Sequence, residues 1–469
     1  MSPRDKSSES PGVLASLQAR LTTKSAHVGV VGLGYVGLPL ALLFAEAGFP
    51  TLGFDIDREK VEALSCGRSY IRHIPARVVS EAMNERRFRA TADFRKLSEM
   101  DAVIVCVPTP LDDHREPDLS FIRDTAEEIK SALRPGQLVV LESTSFPGTT
   151  EEVVLPILEK SGLRCSVFAY TVEDNRVQPN PAEAECDFLL AFSPEREDPG
   201  NKRFGTRQIP KVIGGVNGQS AHAALVLYGQ AFERTVLVSS TRVAEMTKLL
   251  ENIYRCVNIA LVNELKILSL RMGIDIWEVI EAAKTKPFGY APFYPGPGLG
   301  GHCIPIDPFY LTWKAREYEF PTRFIELAGE INSGMPEFVV SSLMEALNRR
   351  KQCLKGAHLL VLGVAYKKDL DDLRESPALR IIQLLLNHGA HVQYHDPNFD
   401  KIPKLRNYSF SLESAAPTPE NLARFDAVII VTDHSCYDYE EIARYSKVVI
   451  DTRHATKDVK EFQDKIVHC

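Results

Sequence analysis

The sequence predicts an α/β protein with two Rossmann-like, doubly wound parallel sheets, joined by a long central helix and a helical middle domain. In the first and last parts of the chain, short apolar runs alternate with helical stretches, which is typical of βαβ units in parallel sheets. Between these parts, residues 241–271 carry apolar side chains at helical spacing and contain no glycine or proline, which indicates one long helix.

These patterns divide the 469 residues into four segments. Residues 1–24 are polar and lack an apolar signal core, so we expect a disordered tail there. Residues 25–240 are expected to form the first Rossmann-like domain, residues 241–335 a helical domain that mediates dimerisation, and residues 336–469 the second Rossmann-like domain.

Apolar runs bounded by turn residues predict the strands of both domains. In the first domain they lie at residues 27–31, 51–54, 102–107, 138–141 and 188–192, and residues 209–240 repeat strand, helix and strand. In the second domain they lie at residues 359–364, 392–394, 427–431 and 448–450. Residues 168–186 are extra sequence before one of these strands, and we expect a surface loop there.

Composition narrows the class of protein. The net charge of -7 gives no basic footprint for nucleic acid, and no apolar stretch approaches the roughly 20 residues that span a bilayer. Nine dispersed cysteines without a C-x-x-C pair predict reduced thiols and no structural zinc. We therefore expect a cytoplasmic protein with no nucleic-acid partner, no membrane association and no metal.

A glycine fingerprint follows the first strand. Its residues are Gly32, Gly34 and Gly37, with Tyr35 and Val36 before the last glycine. Such glycines permit a tight turn and close approach of a pyrophosphate, while the amides of the next helix meet the phosphates. Asp55 ends the next strand, where a carboxylate accepts hydrogen bonds from the adenosine ribose, so the cofactor is predicted to be NAD rather than NADP.

A second glycine-dense run, residues 295–301, precedes Cys303, and Asp307 follows four residues later. A cysteine in such a loop can act as a nucleophile if its thiolate is favoured, as it would be if Cys303 opened a helical turn. A dyad of Cys303 with His302 is disfavoured, because adjacent residues on a turn seldom face each other. This loop beside a dinucleotide fingerprint suggests a dehydrogenase with a covalent intermediate.

Three polar residues share one face of the predicted long helix: Lys248, Asn252 and Arg255. They form either a solvated stripe or a set of donors for a developing oxyanion. Glu195 and Thr144 each follow a predicted strand, at the sheet edge where ligands bind. The adjacent residues 371 and 372, both aspartates, are expected to be solvated loop charge.

Taken together, these residues resemble the nucleotide-sugar 6-dehydrogenases, the family containing UDP-glucose dehydrogenase. The resemblance covers nearly the whole chain from His27 onward. It includes the glycine fingerprint and the following matches: Asp55, Thr109-Pro110, Thr144, residues 193–195, Lys248, Asn252, residues 300–307, residues 366–368 and residues 374–376. The resemblance implies NAD binding by residues 25–240 and UDP-sugar binding by residues 336–469.

The resemblance also implies roles for individual residues. The implied catalytic residues are Cys303, Lys248, Asn252, Glu195, Asp307 and Thr144. The implied NAD contacts are Gly32, Gly34, Tyr35, Val36, Gly37, Asp55, Thr109, Thr144 and Arg374. The implied substrate contacts are Arg196, Lys248, Asn252, Arg255, Tyr294, Gly300, Tyr366 and Lys367.

The implied reaction is a four-electron oxidation of a primary alcohol, C6 of a UDP-sugar, to the uronic acid, with two NAD per turnover. Lys248, or a water held by Asp307, takes the hydroxyl proton. Cys303 then carries a thiohemiacetal and a thioester, Lys248 and Asn252 stabilise the oxyanion, and Thr144 and Glu195 position and activate the hydrolytic water. At least a homodimer is expected.

Within the family, Lys286, Phe288 and residues 293–298 are similar to the branch of UDP-N-acetylglucosamine 6-dehydrogenases. Pro199 stands where the UDP-glucose branch has a second acid, and UDP-N-acetylmannosamine enzymes carry His and Arg at the positions of Lys286 and Phe288. UDP-glucose, UDP-N-acetylmannosamine and UDP-N-acetylgalactosamine stay open as alternative substrates, because the sequence fixes neither the C2 substituent nor the C4 configuration.

Two other functions compete. A noncatalytic nucleotide-sugar sensor would not need the set of Cys303, Lys248, Asn252 and Glu195. A 3-hydroxyacid-type dehydrogenase shares the glycine fingerprint and a helical lysine and asparagine, but needs neither the cysteine loop nor a second α/β domain.

Overall fold

A computed structural model describes residues 13–71, 74–112, 116–178, 180, 186–196, 205–301, 304–405 and 408–469. The chain forms two compact units, one ending at Leu250 and the other beginning at Glu251. None of the described helices combines the length and the apolar content of a transmembrane span. No disulfide links the cysteines within the described ranges.

The described residues of the first unit form an eight-stranded sheet. Its strands are β1 Val28–Val31, β2 Thr51–Phe54, β3 Phe88–Thr91, β4 Ala102–Val105, β5 Leu138–Leu141, β8 Leu189–Phe192, β9 Lys211–Gly215 and β10 Thr235–Leu237, with the short pair β6 Val172–Glu173 and β7 Arg176–Val177 outside the sheet. The helices are α1 Val13–Thr22, α2 Gly37–Ala47, α3 Arg58–Ser65, α4 Ala76–Asn84, α5 Ser120–Ala132, α6 Leu155–Glu159 and α7 Gly218–Gly229, followed by α8 Thr241–Met272, which continues into the second unit.

The strand order in this sheet is β10-β9-β8-β5-β4-β1-β2-β3, and the pairing is parallel except between β8 and β9. Every residue of β1, β4, β5 and β8 is buried, because helices cover both faces of a parallel sheet. The predicted doubly wound α/β fold is therefore confirmed for this part of the chain.

The prediction of a disordered tail over residues 1–24 is wrong for residues 13–22, which form α1. Leu17 and Leu21 are fully buried, and α1 packs against α7. The polar composition of the segment concealed two leucines at i and i+4, which are sufficient to bury one face of a short helix.

The extra residues before β8 include the β6–β7 ribbon. Asn175, at the tip of this ribbon, donates from Nδ2 to the carbonyl of Thr235 at 3.1 Å and accepts from the amide of Leu237 at 2.6 Å. Both partners belong to β10, the strand at the end of the sheet. The ribbon thus supplies hydrogen-bond partners to a sheet edge that would otherwise be open to other chains.

The described residues of the second unit form a five-stranded parallel sheet in the order β12-β11-β13-β14-β15. The strands are β11 His358–Leu362, β12 His391–His395, β13 Ala427–Ile430, β14 Val449–Asp451 and β15 Ile466–His468. The helices are α9 Ile276–Lys284, α10 Asp307–Ala315, α11 Arg323–Arg349, α12 Pro377–Asn387, α13 Pro419–Arg424 and α14 Tyr439–Tyr445.

Alternate residues of β11 enter different cores. Leu359 and Val361 lie in a core with α11 and α12, whereas Leu360 and Leu362 lie in a second core with α13 and α14. This two-sided burial is that of a Rossmann-like sheet, as predicted. Gly389, with φ 79°, follows the end of α12, where a residue of positive φ commonly ends a helix.

Candidate functional site

The glycine turn between β1 and α2 has two structural glycines and one that faces open space. A Cβ on Gly32, whose φ is 91°, would lie 2.5 Å from the carbonyl oxygen of Cys106, and a Cβ on Gly37 would lie 1.8 Å from that of Gly32. A Cβ on Gly34 would meet no atom within 4 Å. The turn is therefore closed by Gly32 and Gly37, while Gly34 leaves room for a ligand near the start of α2.

Asp55 follows β2 and is fixed beside this turn. Its Oδ2 accepts a hydrogen bond from the amide of Leu33 at 2.9 Å, its Oδ1 accepts from the amide of Asp57 at 2.9 Å, and Lys60 Nζ lies 3.5 Å from Oδ2. The open glycine and the anchored carboxylate fit the pyrophosphate and adenosine ribose of NAD. Contact of Asp55 with the ribose stays a prediction.

The loops after β4 and β5 are joined by a side chain. Ser143 Oγ accepts from the amide of Val107 at 2.9 Å and donates to the carbonyl of Val107 at 2.9 Å. Thr144 comes directly after Ser143 and is half-buried, and Thr109 is buried in the other loop. Tyr35 and Val36 lead into α2. These residues lie at the carboxyl edge of the sheet, where ligands bind in doubly wound folds.

In the first unit, the structure brings together Glu195 and Lys248. Lys248 Nζ donates to the carbonyl oxygen of Glu195 at 2.5 Å, and Arg196 donates from its guanidinium to the carbonyl of Pro210 at 2.7 Å. Lys248 is 7% exposed and Asn252 fully buried, so a solvated stripe is wrong for these two residues.

Three other residues surround Glu195 and its loop, and sequence reasoning missed all of them. Lys211 Nζ lies 2.7 Å from Glu142 Oε2 and 3.4 Å from Glu195 Oε2, and Tyr228 donates its hydroxyl to Glu142 Oε1. Glu142 had a usable signal, because it is an acid directly after a buried strand. Lys211 and Tyr228 have none, because their proximity depends on how β9 and α7 pack.

Glu245 on α8 was also missed. This fully buried carboxylate accepts hydrogen bonds from the amide of Gly148 at 2.6 Å and from the amide and hydroxyl of Thr150 at 2.9 and 2.7 Å. Burial raises the pKa of Glu245 to about 7, although the three donors oppose the shift. Glu245 thereby links the helix of Lys248 to the loop that follows Thr144.

In the second unit, the structure brings together Asn252, Asp307 and Arg255. Asn252 Nδ2 donates to Asp307 Oδ2 at 2.5 Å, and the guanidinium of Arg255 donates to Asn252 Oδ1 at 2.5 Å. Asp307 is fully buried and is the first residue of α10, where a negative charge is favoured. Cys303 and His302 lie outside the described residues, so the role of Cys303 stays a prediction.

The glycine-dense run contacts the loop after β11. A Cβ on Gly300 would lie 2.5 Å from the Cβ of Tyr366 and 3.1 Å from the carbonyl of Glu375, and the amide of Gly301 donates to the carbonyl of Arg374 at 2.9 Å. Gly300 therefore has a packing reason for lacking a side chain. The structure brings Gly300 and Tyr366 together, and their contact with a substrate stays a prediction.

The remaining predicted residues have their own partners. Tyr294 stacks on Trp277 at 5.6 Å and donates to Glu281 at 2.7 Å. The guanidinium of Arg374 lies 2.7 Å from Asp372, which is 6% exposed, so the expectation of solvated loop charge is wrong for Asp372. Lys367 is half-buried beyond β11. Across the described ranges, no cluster of three or more His, Cys, Asp or Glu side chains is arranged to hold a metal ion.

Comparisons with known proteins cover nearly all of this architecture. The UDP-glucose/GDP-mannose dehydrogenase family matches through its NAD binding domain at residues 26–232, its central domain at residues 242–334 and its UDP binding domain at residues 360–458. Among relatives, a UDP-N-acetyl-D-glucosamine 6-dehydrogenase of Pseudomonas aeruginosa is 36% identical over 414 residues, which cover 88% of this chain and 91% of that protein.

A UDP-N-acetyl-D-mannosamine dehydrogenase of Pyrococcus horikoshii is 34% identical over 409 residues, covering 87% of this chain and 89% of the relative. Among solved structures, a UDP-D-ManNAc dehydrogenase from Pyrococcus horikoshii aligns with a TM-score of 0.79 at 32% identity, covering 94% of this chain and 98% of that one. A UDP-glucose dehydrogenase from Pyrobaculum islandicum aligns with a TM-score of 0.80 at 27% identity, covering 95% and 97%.

The predicted resemblance is confirmed, as are the oxidoreductase class and the NAD cofactor. The chain belongs to the UDP-glucose/GDP-mannose dehydrogenase family and is an NAD-dependent dehydrogenase of nucleotide sugars.

Proposed function

We propose that the chain oxidises C6 of UDP-N-acetylglucosamine to the carboxylate, through a covalent adduct on Cys303. Bound NAD supplies the hydride acceptor, and two equivalents are used per turnover. The observation that carries the proposal is the buried contact between Asn252 and Asp307, which supports a donor and a carboxylate near the glycine-dense run.

The proposed roles of the side chains follow from their chemistry. Lys248, or a water held by Asp307, takes the proton of the C6 hydroxyl in the first oxidation. The Cys303 thiolate then adds to the aldehyde carbon, and the resulting oxyanion is stabilised by the Lys248 ammonium and the Asn252 amide. The adduct then loses its C6 hydride to the second NAD and becomes a thioester. Water positioned by Thr144 and activated by Glu195 cleaves this thioester, which releases the carboxylate and restores the thiol.

Binding roles are proposed for the other residues. Gly32, Gly34, Gly37, Asp55 and Thr109 belong to the NAD site, and Lys367 and Tyr366 belong to the UDP-sugar site. Arg374 would reach the NAD phosphates, and its ion pair with Asp372 supports a guanidinium that is oriented before a ligand binds. The full proposed sets also include Tyr35, Val36, Arg196, Arg255, Tyr294 and Gly300.

The choice of sugar is supported by sequence rather than by contacts. Lys286 and Phe288 match the N-acetylglucosamine branch, and Lys286 Nζ lies 5.1 Å from the centre of the Phe288 ring. Phe288 is 72% exposed, so its ring is accessible from solvent.

The test is an NADH assay with a panel of UDP-hexoses and UDP-N-acetylhexosamines at equal concentration. The proposal predicts two NADH per UDP-N-acetylglucosamine and a much lower kcat/KM for UDP-glucose. A preference for UDP-N-acetylmannosamine or UDP-N-acetylgalactosamine would show that the proposed sugar is wrong, while the proposed oxidation at C6 would stand. Absence of NADH with every UDP-sugar would favour the noncatalytic sensor.

A homodimer and a cytoplasmic location are part of the proposal. Tyr254, Leu261, Leu265 and Leu268 form a stripe along α8, and each is 39–53% exposed. Such a stripe suits a self-complementary contact with a second copy. Sedimentation analysis of Leu261→Glu should give a smaller species than the unchanged protein, and equal masses would contradict the role of this stripe.

The proposed cytoplasmic location is supported by the supply of NAD and UDP-sugars in the cytoplasm.

A further inference from the structure

Lys211 is a buried cation that the proposed reaction does not use. Its side chain is 3% exposed, and Nζ lies 2.7 Å from Glu142 Oε2 and 3.4 Å from Glu195 Oε2. The same atom lies 5.3 Å from the ring centres of Tyr228 and Phe232. Burying an ammonium is energetically costly, and only well-arranged carboxylates offset that cost. A side chain buried at this cost is therefore a candidate for a functional role.

The strand topology brings these groups to one edge of the sheet. Glu142 directly follows β5, and Glu195 lies just beyond the end of β8. Because β9 runs antiparallel to β8, with Phe192 opposite Gly214, continuing the register puts Lys211 opposite Glu195. The first residue of β9 therefore reaches the carboxyl edge at which β5 and β8 end.

We propose that Lys211 is a positioning residue for the reaction, which holds the Glu195 carboxylate in its working orientation while Glu142 and Tyr228 hold Lys211 itself. The inference rests on the proposed role of Glu195 in activating the hydrolytic water. Glu142 and Tyr228 then act on Lys211 and do not themselves touch the reacting groups.

Lys211 remains a cation in this setting. Burial alone would lower its pKa, but the Glu142 and Glu195 carboxylates outweigh burial and raise the pKa of Lys211. One ammonium thus faces two carboxylates, and the two carboxylates repel each other. Removing the charge of Glu142 keeps the attraction of Lys211 for Glu195 and removes the repulsion between Glu142 and Glu195.

Other groups face Glu195 from the neighbouring elements. The amide of Arg196 donates to Glu195 Oε1 at 2.7 Å, and Lys248 on α8 contacts the backbone carbonyl. The Cys106 thiol after β4 also interacts electrostatically with Glu195, and burial keeps the pKa of Cys106 well above its ordinary value, so the thiol stays neutral. Substitutions at Lys211 and Glu142 leave these groups in place.

Two variants that share the change Glu142→Gln should shift the pH profile of the reaction in opposite directions. Glu142→Gln leaves Lys211 acting on Glu195 alone, so the acid limb of the pH profile should move to lower pH. The double variant Lys211→Met with Glu142→Gln keeps the net charge of the cluster but leaves Glu195 without the ammonium. Its acid limb should move to higher pH by about one unit, as expected when an opposite charge within about 4–6 Å is lost.

The experiment measures the single-turnover rate of uronate formation from UDP-N-acetylglucosamine and NAD between pH 5.5 and 9, for the unchanged protein and both variants. Thermal unfolding checks that each variant folds, and the charge-balanced double variant guards against loss of fold in Lys211→Met alone. The matched control is Lys314→Met with Glu317→Gln, which removes another Lys–Glu pair, at 2.6 Å, in the second unit. Its pH profile should coincide with that of the unchanged protein.

Opposite shifts in the two variants support the inference. Equal profiles, or equal loss of rate at all pH values, would overturn it and reduce Lys211 to a counter-ion of Glu142. Glu195→Gln separates this result from failure of the proposed function. If Glu195→Gln forms uronate at the unchanged rate, the role of Glu195 and the role of Lys211 both fall, while NADH release still supports the dehydrogenase activity.

Discussion

Asn252 donates a hydrogen bond from Nδ2 to Asp307 Oδ2 at 2.5 Å, and both side chains are fully buried. The first residue lies on the long helix and the second opens α10. An amide aimed at a carboxylate in this way is held in one orientation, because its other end accepts from Arg255. Such preorganisation is what an oxyanion donor requires.

Asn252→Ala should lower kcat for NADH formation by about 100- to 1000-fold, because removal of one oxyanion donor typically costs that much. KM should change far less. The matched control is Asn258→Ala on the same helix, whose amide donates only to the carbonyl of Tyr254 in the described structure. A kcat for Asn252→Ala within threefold of the control would remove Asn252 from the reaction.

Substitution of Lys248 and of Lys367 should affect different kinetic constants. Lys248→Ala is expected to lower kcat by at least about 100-fold with a small change in KM, because its ammonium acts in the transition state. Lys367→Ala is expected to raise KM for the UDP-sugar and to spare kcat. Steady-state kinetics of both variants decide the assignment, and weaker binding with unchanged turnover in Lys248→Ala would make Lys248 a substrate contact.

The glycine turn offers a pair of substitutions with different outcomes. Gly34→Ala should fold normally, because its Cβ would enter open space, yet it should weaken NAD binding by obstructing the phosphates. Gly37→Ala should lower the melting temperature, because its Cβ would lie 1.8 Å from the carbonyl oxygen of Gly32. Calorimetric titration with NAD tests the first variant, and thermal unfolding tests the second. Unchanged NAD affinity in Gly34→Ala would show that the NAD phosphates do not bind at Gly34.

Stability should fall with rising pH through Glu245. Burial raises its pKa to about 7, so between its unfolded-state pKa and pH 7 the folded chain binds the proton more tightly than the unfolded chain. This contribution to the free energy of unfolding is therefore greatest at low pH and is lost as pH rises through 7, by about 3 kcal/mol.

Denaturant unfolding at a series of pH values should show this loss in the unchanged protein and not in Glu245→Gln. The free-energy difference between the two should therefore shift in favour of the variant as pH rises, on top of a constant cost from the altered hydrogen bonds. Glu264→Gln, at an exposed position of the same helix, is the control. A pH-independent difference for Glu245→Gln would show that the buried carboxyl does not titrate in this range.

The N-terminal helix should contribute to stability. Leu21→Ala is expected to lower the free energy of unfolding by about 2–5 kcal/mol, because it removes a fully buried side chain. Ala19→Gln, at an exposed position of α1, should stay within about 0.5 kcal/mol of the unchanged protein. Equal effects of the two changes would mean that α1 does not pack in solution as described.

Sequence periodicity predicted the strands and the long helix because burial on both faces leaves uninterrupted apolar runs. Strands β2 and β5 begin and end where they were predicted, and α8 extends one residue beyond its predicted end. The prediction failed at α1, where two leucines in a polar segment form the buried face. Short amphipathic helices leave too few apolar positions for a periodicity to stand out.

For the site, the sequence predicted residues that follow strands or share a helix face, because local spacing determines those positions. It missed Lys211, Tyr228 and Glu245, since their partners lie far along the chain and meet them only through packing. It also treated Asp372 as surface charge, because an ion pair with Arg374 cannot be recognised from adjacent acids alone.

In the proposed reaction, Cys303 carries the sugar between the two oxidations. The most direct measurement is the ratio of NADH formed to UDP-N-acetylglucosamine consumed by Cys303→Ser, with intact-protein mass spectrometry of the quenched enzyme. The unchanged protein should form two NADH per sugar. Cys303→Ser should form one NADH, or a slow second one with a sugar ester retained on the chain. Two NADH per sugar from Cys303→Ser at the unchanged rate, with no adduct, would contradict covalent catalysis by Cys303.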